Sequence, residues 1–296
     1  MRRRFLQESR THLELLGSED YGEREAKPAQ RKRGFEAPYG TLREPICHLE
    51  PRLSTSVPNA NLKMILSKID ANLKKIRVRI AAAAGRADRN PESVTLVAVT
   101  KYAEPAWVQA LFDLGHRDFG ENRPQQLARR AGEFPSEIHW HLIGHLQRNK
   151  VGLVLPATTR IHSVDSLRLL KRIGESSLKA GATRSVLLEV NVSGEAAKDG
   201  LSPSELRELW PQFCEQSGVQ IDGLMTMAPH TDDPESTRAT FRGLRALRDQ
   251  LAESSQGEQP LPELSMGMSG DFEVAIEEGA TLIRVGSSLY EGLSPP

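Results

Sequence analysis

Three groups of residues in this 296-residue chain are of types that could do chemistry together. The first is Lys101, which ends the β-branched apolar run VTLVAVTK over residues 94–101. Period-2 alternation puts it on the face of Val97 and Val99, so an ammonium closes an otherwise apolar row. Partial desolvation at such a place would favour the neutral amine, the form that attacks an aldehyde to give a Schiff base. A rim lysine that is solvated or paired with Glu121 is the plainer alternative. The other two groups are Gly/Ser clusters, Ser265-Met266-Gly267-Met268-Ser269-Gly270-Asp271 and Arg284-Val285-Gly286-Ser287-Ser288. Their small residues let backbone N–H and hydroxyl donors approach an anion closely. Either cluster alone has the composition of an ordinary turn.

These residues must be positioned by regular elements. Strand-like runs at residues 94–101, 118–122, 138–144, 160–164, 186–192, 220–227, 264–269 and 281–286 alternate with helical patterns such as 167–179, 203–216 and 234–251. Alternation of this kind predicts a parallel sheet, and eight successive units predict a closed (β/α)8 TIM barrel over residues 62–296. An open doubly wound sheet is the alternative, although no Gly-x-Gly-x-x-Gly turn follows the first strand. In a barrel, reactive groups project from the C-terminal strand ends, and the loops after strands seven and eight commonly hold phosphate. Both Gly/Ser clusters fall on those loops, facing a first-strand lysine. A phosphate site with an imine-forming lysine specifies a phosphorylated aldehyde, and pyridoxal 5'-phosphate is the commonest such cofactor. Arg284 shares a strand face with Leu282 and Gly286, so it is expected to point into the barrel mouth. If its acceptor is the pyridine nitrogen, the ring stays unprotonated and is a weak electron sink. Pairing with a carboxylate such as Glu189 fits the spacing equally well.

Composition narrows the partners. Lys and Arg total 39 and Asp and Glu total 39, so no excess charge draws the chain to nucleic acid or an anionic membrane. Cys47 and Cys214 form no Cys-x-x-Cys or metal-ligand spacing, which fits a reducing cytoplasm. No apolar run approaches the roughly 20 residues that span a bilayer. Residues 1–60 mix Arg, Glu, Pro and Gly without a sustained period and are expected to form a disordered N-terminal extension, with Met64 as an alternative start. After it, Ile65, Ile69, Leu73, Ile76 and Ile80 mark an amphipathic helix that ends near Gly85.

Several short motifs carry a family resemblance from about Leu62 onward. They are Ala98-Val99-Thr100-Lys101, Phe119-Gly120-Glu121-Asn122, Trp140-His141-Leu142-Ile143-Gly144-His145-Leu146-Gln147, Ser163-Val164-Asp165, Val190-Asn191, Gly223-Leu224-Met225 and Leu264-Ser265-Met266-Gly267-Met268-Ser269. Together they resemble the pyridoxal phosphate homeostasis proteins, also called the proline synthetase co-transcribed family, which share the barrel of the alanine racemase N-terminal domain. The resemblance implies that Lys101 carries the cofactor as a Schiff base and that Asn122 lines its site. It also implies that Ser269, Gly286 and Ser287 serve the phosphate and that Arg284 faces the pyridine nitrogen. The implied role is carrying pyridoxal phosphate and balancing vitamin B6 and amino-acid pools, with pyridoxal-dependent apoenzymes as partners, rather than a defined turnover. Three positions depart from the pattern: Arg123-Pro124 replaces a tyrosine, Tyr290-Glu291 replaces Phe-Gly, and Ser287 stands where threonine is frequent.

Other readings compete. An amino-acid racemase would share the barrel and the lysine, but it needs a second acid/base group, commonly a Tyr from a further domain that is not expected after residue 289. A zinc hydrolase is suggested by His139-x-His141 with His145, although a hydrogen-bonded role for these histidines is the simpler expectation. Lys198, Arg148 and Lys150 could attract the phosphate of an exchanging cofactor. A monomer is expected.

Overall fold

The computed structural model describes residues 59–195 and 198–294. The extension expected over residues 1–60 lies outside the described residues, except that the first helix already begins at Asn59. Eight parallel strands, β1 (Thr95–Val99), β2 (Asp118–Glu121), β3 (His139–Leu142), β4 (Arg160–Val164), β5 (Arg184–Glu189), β6 (Val219–Met225), β7 (Glu263–Ser265) and β8 (Leu282–Val285), close into a barrel in chain order. The helices are α1 (Asn59–Arg86), α2 (Pro105–Asp113), α3 (Pro124–Glu133), α4 (Val151–Val154), α5 (Leu167–Lys179), α6 (Pro203–Cys214), α7 (Arg238–Ser254) and α8 (Phe272–Glu277). The alternation seen in the sequence therefore produces the expected TIM barrel.

Local chemistry sets the helix starts. Proline opens α2, α3 and α6, where its missing N–H leaves nothing unsatisfied. Ser166 and Ser202 accept from the Leu169 and Glu205 amides at 3.3 and 3.1 Å and cap α5 and α6. Helix α1 buries Ile65, Ile69, Leu73, Ile76 and Ile80 against α2 and α8. Its Asn72 side-chain amide donates to the carbonyls of Leu289 and Glu291, each at 3.0 Å, which ties the segment after β8 to the first helix.

Alternation divides the apolar residues into two compartments. Leu96, Ala98, Phe119, Trp140, Leu142 and Ile161 point outward and pack beneath the helices. Val97, Leu187, Met225 and Leu282 form a separate cluster inside the barrel. Around the N-terminal strand ends, Arg160 donates to Ser185 at 2.8 Å, Glu263 at 2.9 Å and Asp222 at 3.1 Å, closing the floor with a cation held between two carboxylates. A barrel interior filled by side chains in layers is a core and not a pore.

Every strand but β4 is shorter than expected, and β1, β3 and β7 fall short by three residues each. β1 stops at Val99, because the Ala103 amide bonds to the Thr100 carbonyl at 2.9 Å and the chain turns. β7 retains three residues, with Gly223 opposite Glu263 in the β6–β7 register. A Cβ at Gly223 would collide with the Glu263 carbonyl oxygen, so the strands close there only around glycine. Gly223→Ala is expected to cost about 2 kcal/mol or more. Gly132→Ala, where a Cβ meets open space in α3, is expected to be neutral or stabilising. Chemical denaturation of the two variants checks the contrast; equal midpoints would contradict it.

Candidate functional site

All six residues expected to form a site lie at the C-terminal ends of four adjacent strands, β7, β8, β1 and β2. Ala98 pairs with Val285 and with Phe119, so Gly286 follows beside Val99, and Thr100 reaches Glu121. The loops after β7 and β8 meet directly. The Gly286 amide donates to the Ser269 hydroxyl at 3.2 Å, and the Met268 amide donates to Asp271 at 2.6 Å, which folds the first loop back on itself. Gly286 leaves so little room that an added Cβ would lie 3.3 Å from the Val99 Cβ. Among the described residues, the amides of Ser287 and Ser288 have no hydrogen-bond acceptor. This set of N–H and hydroxyl donors around small residues suits a phosphate.

Lys101 departs from the sequence expectation. It lies on a turn beyond β1 and is exposed, not desolvated, with its Nζ 5.1 Å from the Tyr102 ring centroid. Nor does it pair with Glu121. That carboxylate is fully buried on the outward face, accepts from Thr100 Oγ1 at 2.6 Å and sits 3.0 Å from Arg130 Nε. Arg130 also donates to the Ala103 carbonyl at 2.6 Å, and Gln126 donates to the Lys101 carbonyl at 3.3 Å. The turn is therefore pinned immediately before and two residues after Lys101, while the amine itself stays free in solvent. Sequence reasoning missed Arg130; nothing in the i, i+3 pattern of α3 marks it as a partner for β2. Tyr290, which stands in place of a phenylalanine, lies behind the same turn, stacked on Trp107 at 5.3 Å.

Arg284 points inward as expected, and the carboxylate pairing does not form. It is buried; Nη1 donates to Ser265 Oγ at 2.6 Å and Nη2 to the Thr226 carbonyl at 2.9 Å. Burial lowers its pKa to about 10 while Glu189 and Asp271 hold it up, so it remains a cation at neutral pH. With two of five N–H donors used by these neutral acceptors, a further acceptor fits here. Ser265 continues inward to His162, which meets His141. Among the described residues no His/Cys/Asp/Glu cluster could hold a metal ion. His139 is exposed and His145 turns to Asp165 at 3.2 Å, so the three histidines do not converge.

Across the mouth, Glu189 at the end of β5 is buried, and burial followed by the charge of Asp199 raises its pKa to about 7, against the pull of Arg284. Asn122 lines a cleft of about 340 Å³ with Arg123, Gly144, His145 and Lys150, and its Oδ1 is buried without a partner. An orphaned acceptor of this kind also fits a site awaiting a ligand. Lys198 is not a free cation: it bonds to Glu195 at 2.7 Å.

The Glu189 shift has a definite sign. A carboxyl whose folded pKa lies above its unfolded value stabilises the native state only while protonated, and that contribution is lost as pH rises through about 7. Glu189→Gln is therefore expected to add on the order of 1–3 kcal/mol of stability at pH 8, shrinking towards zero near pH 4.5. Denaturation of parent and variant across this range checks it; a difference independent of pH would contradict it.

Comparison with known proteins agrees with this geometry. The family model for the alanine racemase N-terminal domain matches residues 67–295. A pyridoxal phosphate homeostasis protein of Aquifex aeolicus is 39% identical over 219 residues, 74% of this chain and 95% of its own length. One of Pseudomonas aeruginosa is 37% identical over 226 residues, 76% of this chain and 96% of its own. The structure of PipY of Synechococcus elongatus PCC7942 with PLP bound is 36% identical with a TM-score of 0.63, covering 71% of this chain and 99% of that one. D-threonine aldolase from Filomicrobium marinum shares the fold alone, at 17% identity and a TM-score of 0.60 over 76% of this chain and 60% of its own. With its barrel, its motifs and relatives matched over nearly their full length, the chain belongs to the pyridoxal phosphate homeostasis protein family.

Proposed function

We propose that this chain binds pyridoxal 5'-phosphate at the β7–β8–β1–β2 mouth, carries it as a Schiff base on Lys101, and serves vitamin B6 and amino-acid homeostasis in the cytoplasm. The observation that carries this reading is a buried cation, Arg284, which has only neutral acceptors and sits on the strand whose following loop meets the Ser269 loop through the Gly286 amide. When bound, the cofactor supplies an aldehyde for a lysine amine and a ring whose electron demand depends on its nitrogen. Ser269, Gly286 and Ser287 would hold the phosphate, Arg284 would face the ring nitrogen, and Asn122 would line the far side. A guanidinium cannot accept a proton and keeps its own, so the ring nitrogen facing it would stay unprotonated. Such a site favours storage over carbanion chemistry.

The pinned turn and free amine suit a carrier. Lys101 Nζ can meet an arriving aldehyde without displacing a salt-bridge partner, because Glu121 is already committed to Thr100 and Arg130. The name of the relatives and the PLP bound by PipY support the same reading. Release to pyridoxal-dependent apoenzymes by a monomeric carrier completes the proposal.

The test is chemical. Addition of pyridoxal 5'-phosphate should give an imine absorption band, and borohydride reduction followed by peptide mass spectrometry should place the label on Lys101. Lys101→Ala should abolish the label with little change in thermal stability, since the side chain is exposed. A label on other lysines, or one that persists in the variant, would overturn the assignment.

A further inference from the structure

A continuous line of hydrogen bonds crosses the barrel interior from the mouth to the floor. Arg284 Nη1 donates to Ser265 Oγ at 2.6 Å, and Ser265 Oγ lies 2.8 Å from His162 Nδ1. His162 Nε2 lies 2.9 Å from His141 Nδ1, and His141 Nε2 lies 3.2 Å from Asp118 Oδ1. The line visits β8, β7, β4, β3 and β2, and both imidazoles are buried. We infer that His162 and His141 form a neutral relay of fixed tautomer, anchored on Asp118, that orients the Ser265 hydroxyl and so positions Arg284 at the mouth.

The direction of each bond follows from its two ends. Asp118 is acceptor-only as a carboxylate, so His141 Nε2 carries the proton. Burial disfavours that carboxylate, but the hydrogen bond from His141 works against it, and its pKa is lowered. Burial also lowers the pKa of His141, and lowers that of His162 well below the ordinary value with help from His141, Arg284 and Arg160. A neutral His141 protonated on Nε2 has a bare Nδ1, so His162 must donate from Nε2. A neutral His162 is then bare at Nδ1, so the Ser265 hydroxyl must donate to it. From the other end, Arg284 can only donate, and the lone pair that Ser265 turns to it is the one left free. Every polar atom in the line is satisfied in this arrangement and in no other with neutral rings.

The consequence for the mouth is specific. A serine hydroxyl without a fixed acceptor can rotate its hydrogen towards a guanidinium, where donor meets donor. With His162 in place that rotation is blocked, and the cation keeps one fixed partner while its other N–H groups stay available. His162 thus acts on Arg284 through Ser265 as a positioning residue. It does not touch the proposed cofactor.

Two measurements on the full chain test the relay. The first needs no cofactor: long-range nitrogen–proton NMR of the histidine rings near pH 7 should show both His141 and His162 neutral and protonated on Nε2. An Nδ1-protonated or doubly protonated His162 would overturn the proposal. The second rests on the function proposed above. His162→Leu should weaken pyridoxal 5'-phosphate binding at least about tenfold and change the absorption spectrum of the bound form. His162→Gln, which keeps one acceptor and one donor, should recover most of both. If His162→Leu does not fold, Ser265→Ala removes the same link with a smaller change and should weaken binding similarly. Leucine or alanine variants that bind and absorb like the parent would overturn the relay. If the parent chain itself fails to bind the cofactor, the functional proposal falls, and the ring tautomers still decide the relay.

Discussion

A guanidinium buried at the barrel mouth without a carboxylate partner is the constraint around which the rest of this molecule is arranged. Removing such a charge from water is costly unless hydrogen bonds compensate it. Here the compensation is partial, from one hydroxyl and one carbonyl, with Glu189 and Asp271 acting at longer range. The two ends of the barrel differ accordingly. At the floor, Arg160 meets Asp222, Glu263 and Ser185, and charge is closed by charge. At the mouth, Arg284 keeps spare donors, Glu189 is held close to half-protonation at neutral pH, and Asn122 carries an orphaned acceptor. A buried cation with spare donors, a carboxyl shifted by burial and an unpartnered amide oxygen gathered at one end of a barrel are the expected mark of a binding site.

Alternation along the strands separates two tasks. Outward-facing Thr100 and Glu121, with Arg130 from α3, fix the course of the chain around Lys101. Inward-facing Arg284, Ser265, His162 and His141 shape the space that the cofactor would enter. The first set sets the backbone from which the amine reaches, and the second sets the charge it reaches towards. Because the strands are adjacent and parallel, small register shifts would disturb both sets at once. Glycine at 223, where the Glu263 carbonyl leaves no room for a Cβ, and at 286, where a Cβ would press on Val99, helps to keep that register.

Much of the architecture was legible in the sequence because each strand carries its own local signal. VTLVAV is β-branched and apolar whatever surrounds it, and Pro105, Pro203 and Ser166 mark helix starts by chemistry that needs no tertiary partner. The site residues were legible as strand ends, and they do gather on one face. The environment of Lys101 was not, because its exposure depends on a turn stabilised by Glu121 and Arg130, residues 20 and 29 positions away in the sequence. The interior histidine line was equally hidden. His162 shows only as an inward position of β4, and nothing local reveals that it meets a side chain of β3 and another of β7. Pairings across a barrel are set by strand tilt and stagger, which no single segment encodes.

The central claim is that the mouth formed by β7, β8, β1 and β2 receives pyridoxal 5'-phosphate with its ring nitrogen against Arg284. A crystal structure of the full chain grown with the cofactor tests this most directly. The account predicts density continuous with Lys101 Nζ, phosphate oxygens within hydrogen-bond reach of Ser269, Gly286 and Ser287, and the ring nitrogen near 3 Å from a guanidinium nitrogen. Cofactor lodged only in the side cleft of Asn122 and Lys150, or bound at the mouth with Arg284 turned away from the ring, would contradict it.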